Sequence, residues 1–227
     1  MKILITSGGT SEAIDRVRAI TNQSTGTLGK IMAETFLKAG FEVTLVTTKA
    51  AVKPEAQANL TIHEITNVAN LKNTLEPLIK THDVFIHSMA VSDYTPIYMT
   101  GIEEVADGKD VHEFLQKENK ETKISSKDDY QVLFLKKTPK IISHVKEWNP
   151  AIALIGFKLL VDVSVEELRS VAEKSLASNH ADMIVANDLT DIKANQHKAY
   201  LVQKEGYMIA FTKEEIAKKV LAFVTKN

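Results

Sequence analysis

Lys2-Ile3-Leu4-Ile5-Thr6-Ser7-Gly8-Gly9-Thr10 decides the fold. Ile3-Leu4-Ile5 is apolar without alternation, so the run reads as a strand buried on both faces, and Ser7-Gly8-Gly9-Thr10 stops it in a tight turn. A second β-rich run, FEVTLVT, occupies 41–47. Between them Leu28, Ile31, Met32, Thr35, Phe36 and Ala39 recur near the 3.6-residue period, with Gly29 opening the segment and Gly40 where a C-terminal cap belongs. Strand, loop, helix and strand in this order form one unit of an α/β protein.

The same alternation continues outward. Apolar patterning predicts a strand at 61–65, a helix at 68–80, strands at 83–88 and 130–135, a helix from Pro139, a strand at 152–157, a helix at 165–178 and a strand at 182–186. Two β-rich runs around Glu205-Gly206 read as a hairpin, and an amphipathic helix follows from Lys213. Strands alternating with helices imply a Rossmann-like three-layer α/β sandwich with a mainly parallel sheet and right-handed crossovers. The 227 residues suit a single domain. The stretch 95–129, rich in charge (EEVADGKD, QKENKETK) and poor in apolar anchors, breaks the pattern and reads as an arm or flap.

Composition narrows the chemistry. With 28 Lys and Arg against 29 Asp and Glu, the formal charge of −1 offers no basic excess for a nucleic acid. The longest apolar stretch, 151–157, is far short of the roughly 20 residues a membrane span needs. MKILITSGG reads as a buried strand and not a signal peptide, which points to the cytoplasm. The absence of Cys excludes disulfides, zinc ribbons, iron–sulfur clusters and thiol nucleophiles. The seven His residues show no metal-ligand pairing at i, i+4, so no His-bound metal is expected.

Two Gly clusters could cradle a phosphate. Gly8-Gly9-Thr10 follows the first strand, and Gly26-Thr27-Leu28-Gly29-Lys30 opens the helix, where free backbone N–H groups and the helix dipole favour an anion. Neither G-x-G-x-x-G nor the P-loop spacing is present. Arg18, Asn22, Ser24, Thr25 and Lys30 crowd cations, an amide and hydroxyls around the same segment, a set suited to an anionic ligand. Ser88 to Pro96, SMAVSDYTP, follows a buried strand and so falls at the carboxyl edge of the sheet, where open α/β folds bind ligands; Asp93 is its notable residue. Tyr200 and Lys204 have the Y-x-x-x-K spacing of short-chain dehydrogenases but sit on a β-rich run, where that pair has no helix to work from.

In register, ITSGGT, VRAITNQSTGTLG, AVSDYTP, Lys123-Ile124, LKKTPKII, IGFKL and DMIVAND resemble the motifs of phosphopantothenate-cysteine ligases, in their order and over nearly the whole chain. The resemblance implies an enzyme that joins 4′-phosphopantothenate to L-cysteine on the route to coenzyme A. The carboxylate attacks the α-phosphorus of a nucleoside triphosphate, pyrophosphate leaves, and the amine of cysteine displaces the nucleotide from the acyl-nucleotidyl intermediate. Such chemistry needs positioning and charge stabilisation more than a protein nucleophile. It also implies Mg2+ on the triphosphate, CTP favoured over ATP, and a homodimer with 95–129 contributing flap and interface. The chain looks like the free-standing form, to which a separate flavin-dependent decarboxylase could dock.

By the same resemblance Asn22 holds the acyl intermediate, Arg18 serves the cysteine-attack half, and Lys123 faces the triphosphate. Asp93, Phe157 and Lys158 fall near the nucleotide, with Gly8, Gly9, Thr10, Ser24 and Gly26 as further binding positions; no protein metal ligand is expected. Three departures stand out: Ser125-Ser126 where the family has lysines, with Lys127 after them; Met89 for a small residue; and F-K-L for G-F-A at Lys158. Two other readings compete. A dinucleotide-dependent reductase suits the strand-turn-helix opening but lacks the fingerprint and an acidic residue after Val46-Thr47-Thr48-Lys49. A non-catalytic nucleotide-binding module of the same fold suits the Ser125-Ser126 departure.

Overall fold

The computed structural model describes residues 1–108, 110–119, 122–125, 127–193 and 196–226. The opening run is strand β1 (Lys2–Thr6), followed by a short hairpin of β2 (Ser11–Ala13) and β3 (Ala19–Thr21). Helix α1 (Thr27–Lys38), β4 (Glu42–Thr48), β5 (Leu60–Ile65), α2 (Val68–Ile79) and β6 (Val84–His87) complete the first half. An excursion carries β7 (Tyr94–Gly101), α3 (Ile102–Asp107), a 3-10 turn (Val111–Gln116) and β8 (Gln131–Lys137). Then come α4 (Ile141–Trp148), β9 (Ala153–Leu160), α5 (Val165–Ser178), β10 (Met183–Asp188), the two-residue strands β11 (Ile192–Lys193) and β12 (Gln196–His197), the hairpin β13 (Ala199–Gln203) and β14 (Gly206–Ala210), and α6 (Lys213–Lys226).

The main sheet runs β14-β13-β10-β9-β6-β1-β4-β5. Its six strands from β10 to β5 are parallel, and β13 and β14 close one side antiparallel. From β1 the chain builds outward through β4 and β5, then returns to place β6, β9 and β10 on the other flank. The reversal puts a topological switch point between β1 and β6, where doubly wound sheets open a ligand crevice. This is the Rossmann-like three-layer sandwich the alternation predicts.

Both faces are covered, which is why the strands are continuously apolar. Ile3 and Ile5 point into one core with Met32, Ala33 and Phe36 of α1 and Ile216 and Val220 of α6. Leu4 points the other way, into a core with Leu71, Leu75 and Ile79 of α2 and Val145 of α4, while Leu168 and Ala172 of α5 cover Ile184 and Ala186. Side chains such as Phe36 and Phe85, wholly buried, each contribute about 2–3 kcal/mol of transfer free energy. Helix α1 ends as its sequence predicts. Gly40 takes φ +85°, its N–H donates to Leu37 O at 2.9 Å, and Phe41 N–H donates to Phe36 O at 3.1 Å. Those are the two bonds of a Schellman cap, and the Phe36 and Phe41 rings pack 5.9 Å apart across it.

Two elements differ from the sequence reading. The helix starts at Thr27, with Gly26 as its N-cap, and not at Gly29. The run at 130–135 is not a strand of the main sheet: β8 pairs antiparallel with β7 as a separate two-stranded ribbon, from Tyr94 opposite Lys137 to Gly101 opposite Gln131. The stretch 95–129 therefore begins as regular β structure. The ribbon is held by stacked Phe114 and Phe134, with centroids 5.3 Å apart, and by Asn119, whose side chain bonds both Met99 N at 2.8 Å and Met99 O at 2.9 Å. A side-chain amide doing the work of a strand partner leaves no hydrophobic periodicity to read.

Candidate functional site

The switch point is built from the turns after β1 and β6. Ala90 N–H donates to Gly8 O at 2.9 Å and Thr10 N–H to Ala90 O at 3.0 Å, so the two turns run side by side. Thr10 and Ser92, both buried, lock them: their hydroxyls lie 2.9 Å apart and Ser92 N–H donates to Thr10 Oγ1 at 2.8 Å. Below, Thr6 Oγ1 meets His87 Nδ1 at 2.8 Å, and burial pushes the His87 imidazole down to about 4, so it is neutral there.

The hairpin β2–β3 brings Asn22 back over this floor. Asn22 N–H donates to Thr10 O at 3.4 Å, and its Nδ2 donates to Ala90 O at 3.1 Å and Ser92 Oγ at 3.4 Å. The amide is thereby oriented with both Nδ2 bonds on the β6 turn. A Cβ on Gly9 would stand 2.7 Å from Asn22 O, so Gly9 is what lets the segment pass. Ser24 N–H donates to Asn22 O at 3.0 Å, and Gly26 caps α1 without a side chain. The first turn of α1 carries no acidic residue, so its positive end is not neutralised from within the helix. Gly29 packs so tightly on Ser7 that a Cβ there would overlap the Ser7 side chain; Ser7 Oγ donates to Gly26 O at 3.0 Å.

Gly8, Gly9, Thr10, Asn22, Ser24 and Gly26 thus form one group. Asp93 follows Ser92 directly and is exposed, and its carboxylate has no hydrogen bond or ion pair among the described residues. Phe157 and Lys158 lie toward the carboxyl end of β9, one strand beyond β6, on opposite faces of the sheet. Phe157 pairs with Val185 and packs on the core shared by α1 and α6, while Lys158 pairs with Ala186 on the α5 face. Lys30 does not join the site: it is 3.7 Å from Glu34 on the outer surface of α1. Ser126 lies outside the described residues; Lys127 is exposed.

Arg18 and Lys123 form a second group around a residue that sequence reasoning passed over. The Asp15 carboxylate, with its side chain fully buried, accepts from Arg18 Nη2 at 2.7 Å, Arg18 Nε at 3.0 Å and Ile124 N at 3.1 Å. The Arg18 guanidinium beside it, helped by backbone N–H donors, holds Asp15 well below the usual carboxylate range. Part of the signal was local: an Asp in a turn accepts from backbone N–H groups just ahead of it, as Asp15 Oδ1 does from Val17 N and Arg18 N. Glu12 was also missed; buried, it accepts from Val68 N at 2.8 Å at the start of α2. Tyr200 and Lys204 lie in and just after β13, with no helix to present them.

Among the described residues no three His, Cys, Asp or Glu side chains gather as a metal site, and no helix is long and apolar enough to cross a membrane. Fold and site together define a Rossmann-like α/β protein with Gly, hydroxyl and amide groups gathered at its switch point. The chain belongs to the family described as the DNA/pantothenate metabolism flavoprotein C-terminal domain, whose model matches residues 1–103 and 105–227. It is 33% identical over 223 residues to the coenzyme A biosynthesis bifunctional protein CoaBC of Thermococcus kodakarensis, covering 96% of this chain and 49% of that protein. With the protein of the same name from Methanocaldococcus jannaschii it shares 30% over 228 residues, 99% of this chain and 50% of the relative. The chain therefore spans about half the length of the curated relatives it matches. A crystal structure of the DNA/pantothenate metabolism flavoprotein from Streptococcus pneumoniae superimposes with a TM-score of 0.96 at 60% identity, covering 100% and 99% of the two chains. The C-terminal domain of a coenzyme A biosynthesis bifunctional protein CoaBC superimposes at 0.70 with 27% identity, over 98% and 93%.

Proposed function

We propose that this chain ligates 4′-phosphopantothenate to L-cysteine in coenzyme A biosynthesis, activating the carboxylate with a nucleoside triphosphate, CTP in preference to ATP. The observation that carries the reading is the Asn22 amide, fixed over the β1 and β6 turns at the switch point of a chain whose family is described by pantothenate metabolism and whose relatives include coenzyme A biosynthesis bifunctional proteins. In this reading Asn22 presents its carboxamide to the acyl intermediate. The turn at Gly8 to Thr10, with Ser24 and the Gly26 end of α1, receives anionic oxygens on backbone N–H groups. Lys123 and Arg18 supply cations to the phosphates and to the step in which cysteine attacks. Phe157 and Lys158 border the nucleotide.

The donor set suits Mg2+ carried by the triphosphate. Asp93 is an unpartnered carboxylate beside the crevice, and a cation that keeps most of its ligands from phosphate and water needs no more from the protein. When bound, the ion offsets charge on the phosphate oxygens. A homodimer with the β7–β8 ribbon as flap or interface, a cytoplasmic setting and docking by a separate decarboxylase belong to the same reading. The test is product formation: purified protein with Mg2+, 4′-phosphopantothenate, L-cysteine and CTP or ATP, followed by mass analysis. A product carrying cysteine supports the proposal; its absence with both nucleotides, from folded protein, defeats it.

A further inference from the structure

Arg18 and Ile124 are 106 positions apart in the chain, and a single buried carboxylate joins their segments. Asp15 Oδ1 accepts from Val17 N at 2.8 Å and Arg18 N at 2.7 Å, which shapes the turn between β2 and β3. Oδ2 accepts from Arg18 Nε and Nη2 and from Ile124 N, at 3.0, 2.7 and 3.1 Å. Two further bonds cross the same gap: Arg18 Nη2 to Ile124 O at 2.9 Å, and Arg16 N to Thr122 O at 3.1 Å. Lys123 therefore stands between two anchored neighbours with its own side chain exposed. Ile124 is 7% exposed and adds an apolar anchor. Arg18 keeps 35% side-chain exposure, and its Nη1 has no bond among the described residues.

Only an acceptor without protons can serve here. Five N–H groups converge on two oxygens, and an amide in place of the carboxylate would turn an N–H toward the Arg18 or Ile124 donors. The surrounding sequence offers no substitute, because Ile14, Arg16 and Val17 carry no acceptor in their side chains.

We propose that Asp15 is a positioning residue that sets Arg18 and the Lys123 segment in one frame, so that what Lys123 does for the nucleotide depends on Asp15. The proposal rests on the ligase reading for the roles of Arg18 and Lys123, but the clamp itself is testable without turnover.

Two measurements decide it. The first is amide hydrogen exchange in the unliganded wild-type protein and in Asp15→Asn. Ile124 is expected to exchange more slowly than Lys123 and Ser125 in the wild type and to lose that protection in the variant. An unprotected wild-type Ile124 overturns the clamp, and this arm stands even if Asp15→Asn does not fold or the protein turns nothing over. The second is a cycle of Asp15→Asn, Lys123→Ala and the double variant, read as KM for the nucleoside triphosphate and kcat. Asp15→Asn is expected to raise that KM roughly tenfold or more, and the double variant to show a nucleotide KM no higher than Lys123→Ala alone, since coupled residues are non-additive, while kcat can fall further through the loosened Arg18. Effects that multiply, with KM for the nucleotide unchanged by Asp15→Asn, overturn the proposal. Wild-type protein that neither releases pyrophosphate nor forms product defeats the ligase reading instead, and leaves the exchange result to judge the clamp.

Discussion

Thr10 and Ser92 are 82 positions apart, yet their hydroxyl oxygens lie 2.9 Å from each other and Ser92 N–H closes a second bond on Thr10 Oγ1 at 2.8 Å. This pair fastens the turn after β1 to the turn after β6, and Asn22 rests on the result. The juxtaposition of the two turns is thus set by short hydroxyl contacts, each of which can be removed singly.

Thr10→Val keeps the volume and deletes the hydroxyl. Ser92 N–H then loses its acceptor in a buried position, a cost of about 1–3 kcal/mol. A denaturant melt is expected to show that loss. The two turns also become free to separate, so the KM for 4′-phosphopantothenate or nucleotide should rise while the far-ultraviolet dichroism is unchanged.

Asn22→Asp exchanges the Nδ2 donor for an oxygen facing Ala90 O, 3.1 Å away. Equal size does not make the swap free: an acceptor set against an acceptor costs about 1–3 kcal/mol, which a domain of ordinary stability tolerates. The protein should remain folded with a lowered melting temperature, and cysteine ligation should fall at least a hundredfold, a loss near 3 kcal/mol of transition-state stabilisation. Wild-type turnover by the folded variant removes Asn22 from the mechanism.

Gly29→Ala and Gly40→Ala separate contact from conformation. At Gly40, where φ is +85° and a Cβ meets nothing within 4 Å, only backbone strain of about 1–2 kcal/mol is expected, with normal substrate KM. At Gly29 the new Cβ overlaps Ser7 at the base of the Gly8-Gly9 turn. Overpacking there should cost about 1–3 kcal/mol and raise the nucleotide KM as well.

Acid should destabilise the fold through buried imidazoles. His87 is held neutral by burial down to about 4 against an ordinary 6.5, and burial also lowers His82 and His197. Between those values the unfolded chain binds protons that the folded one refuses, so stability is complete above pH 6.5 and is lost as pH falls toward 4. His87 alone accounts for a change on the order of 3 kcal/mol. Urea melts from pH 7.5 to 4.5 should show the decline, and His87→Gln should flatten part of it.

Much of this was legible in the chain. Ile3-Leu4-Ile5, the period of α1 and its Gly40 cap are local signals, each sufficient for its element, and the alternation carried the layered, mainly parallel architecture, while the order of the strands came only from the structure. That Asn22 gathers with the Gly-rich turn was legible from a short, polar, Gly-bearing segment between a buried strand and a helix, whereas its part in the chemistry is implied by the resemblance alone. What was not legible depends on distant partners. Nothing near Gln131 to Lys137 says that this strand leaves the main sheet for Tyr94 to Gly101, and Asn119 stabilises that ribbon through backbone bonds that leave no periodicity. Asp15 was passed over because one of its oxygens serves Ile124, far along the chain, and no local pattern announces that partner.

The most direct measurement is pyrophosphate release with L-cysteine withheld. With Mg2+, 4′-phosphopantothenate and CTP in single-turnover amounts, the account predicts a burst of about one pyrophosphate per competent site. The acyl-nucleotidyl species then stays bound until cysteine is added, when nucleoside monophosphate and ligated product appear together. No pyrophosphate with either CTP or ATP, before or after cysteine, from folded wild-type protein, would contradict the account.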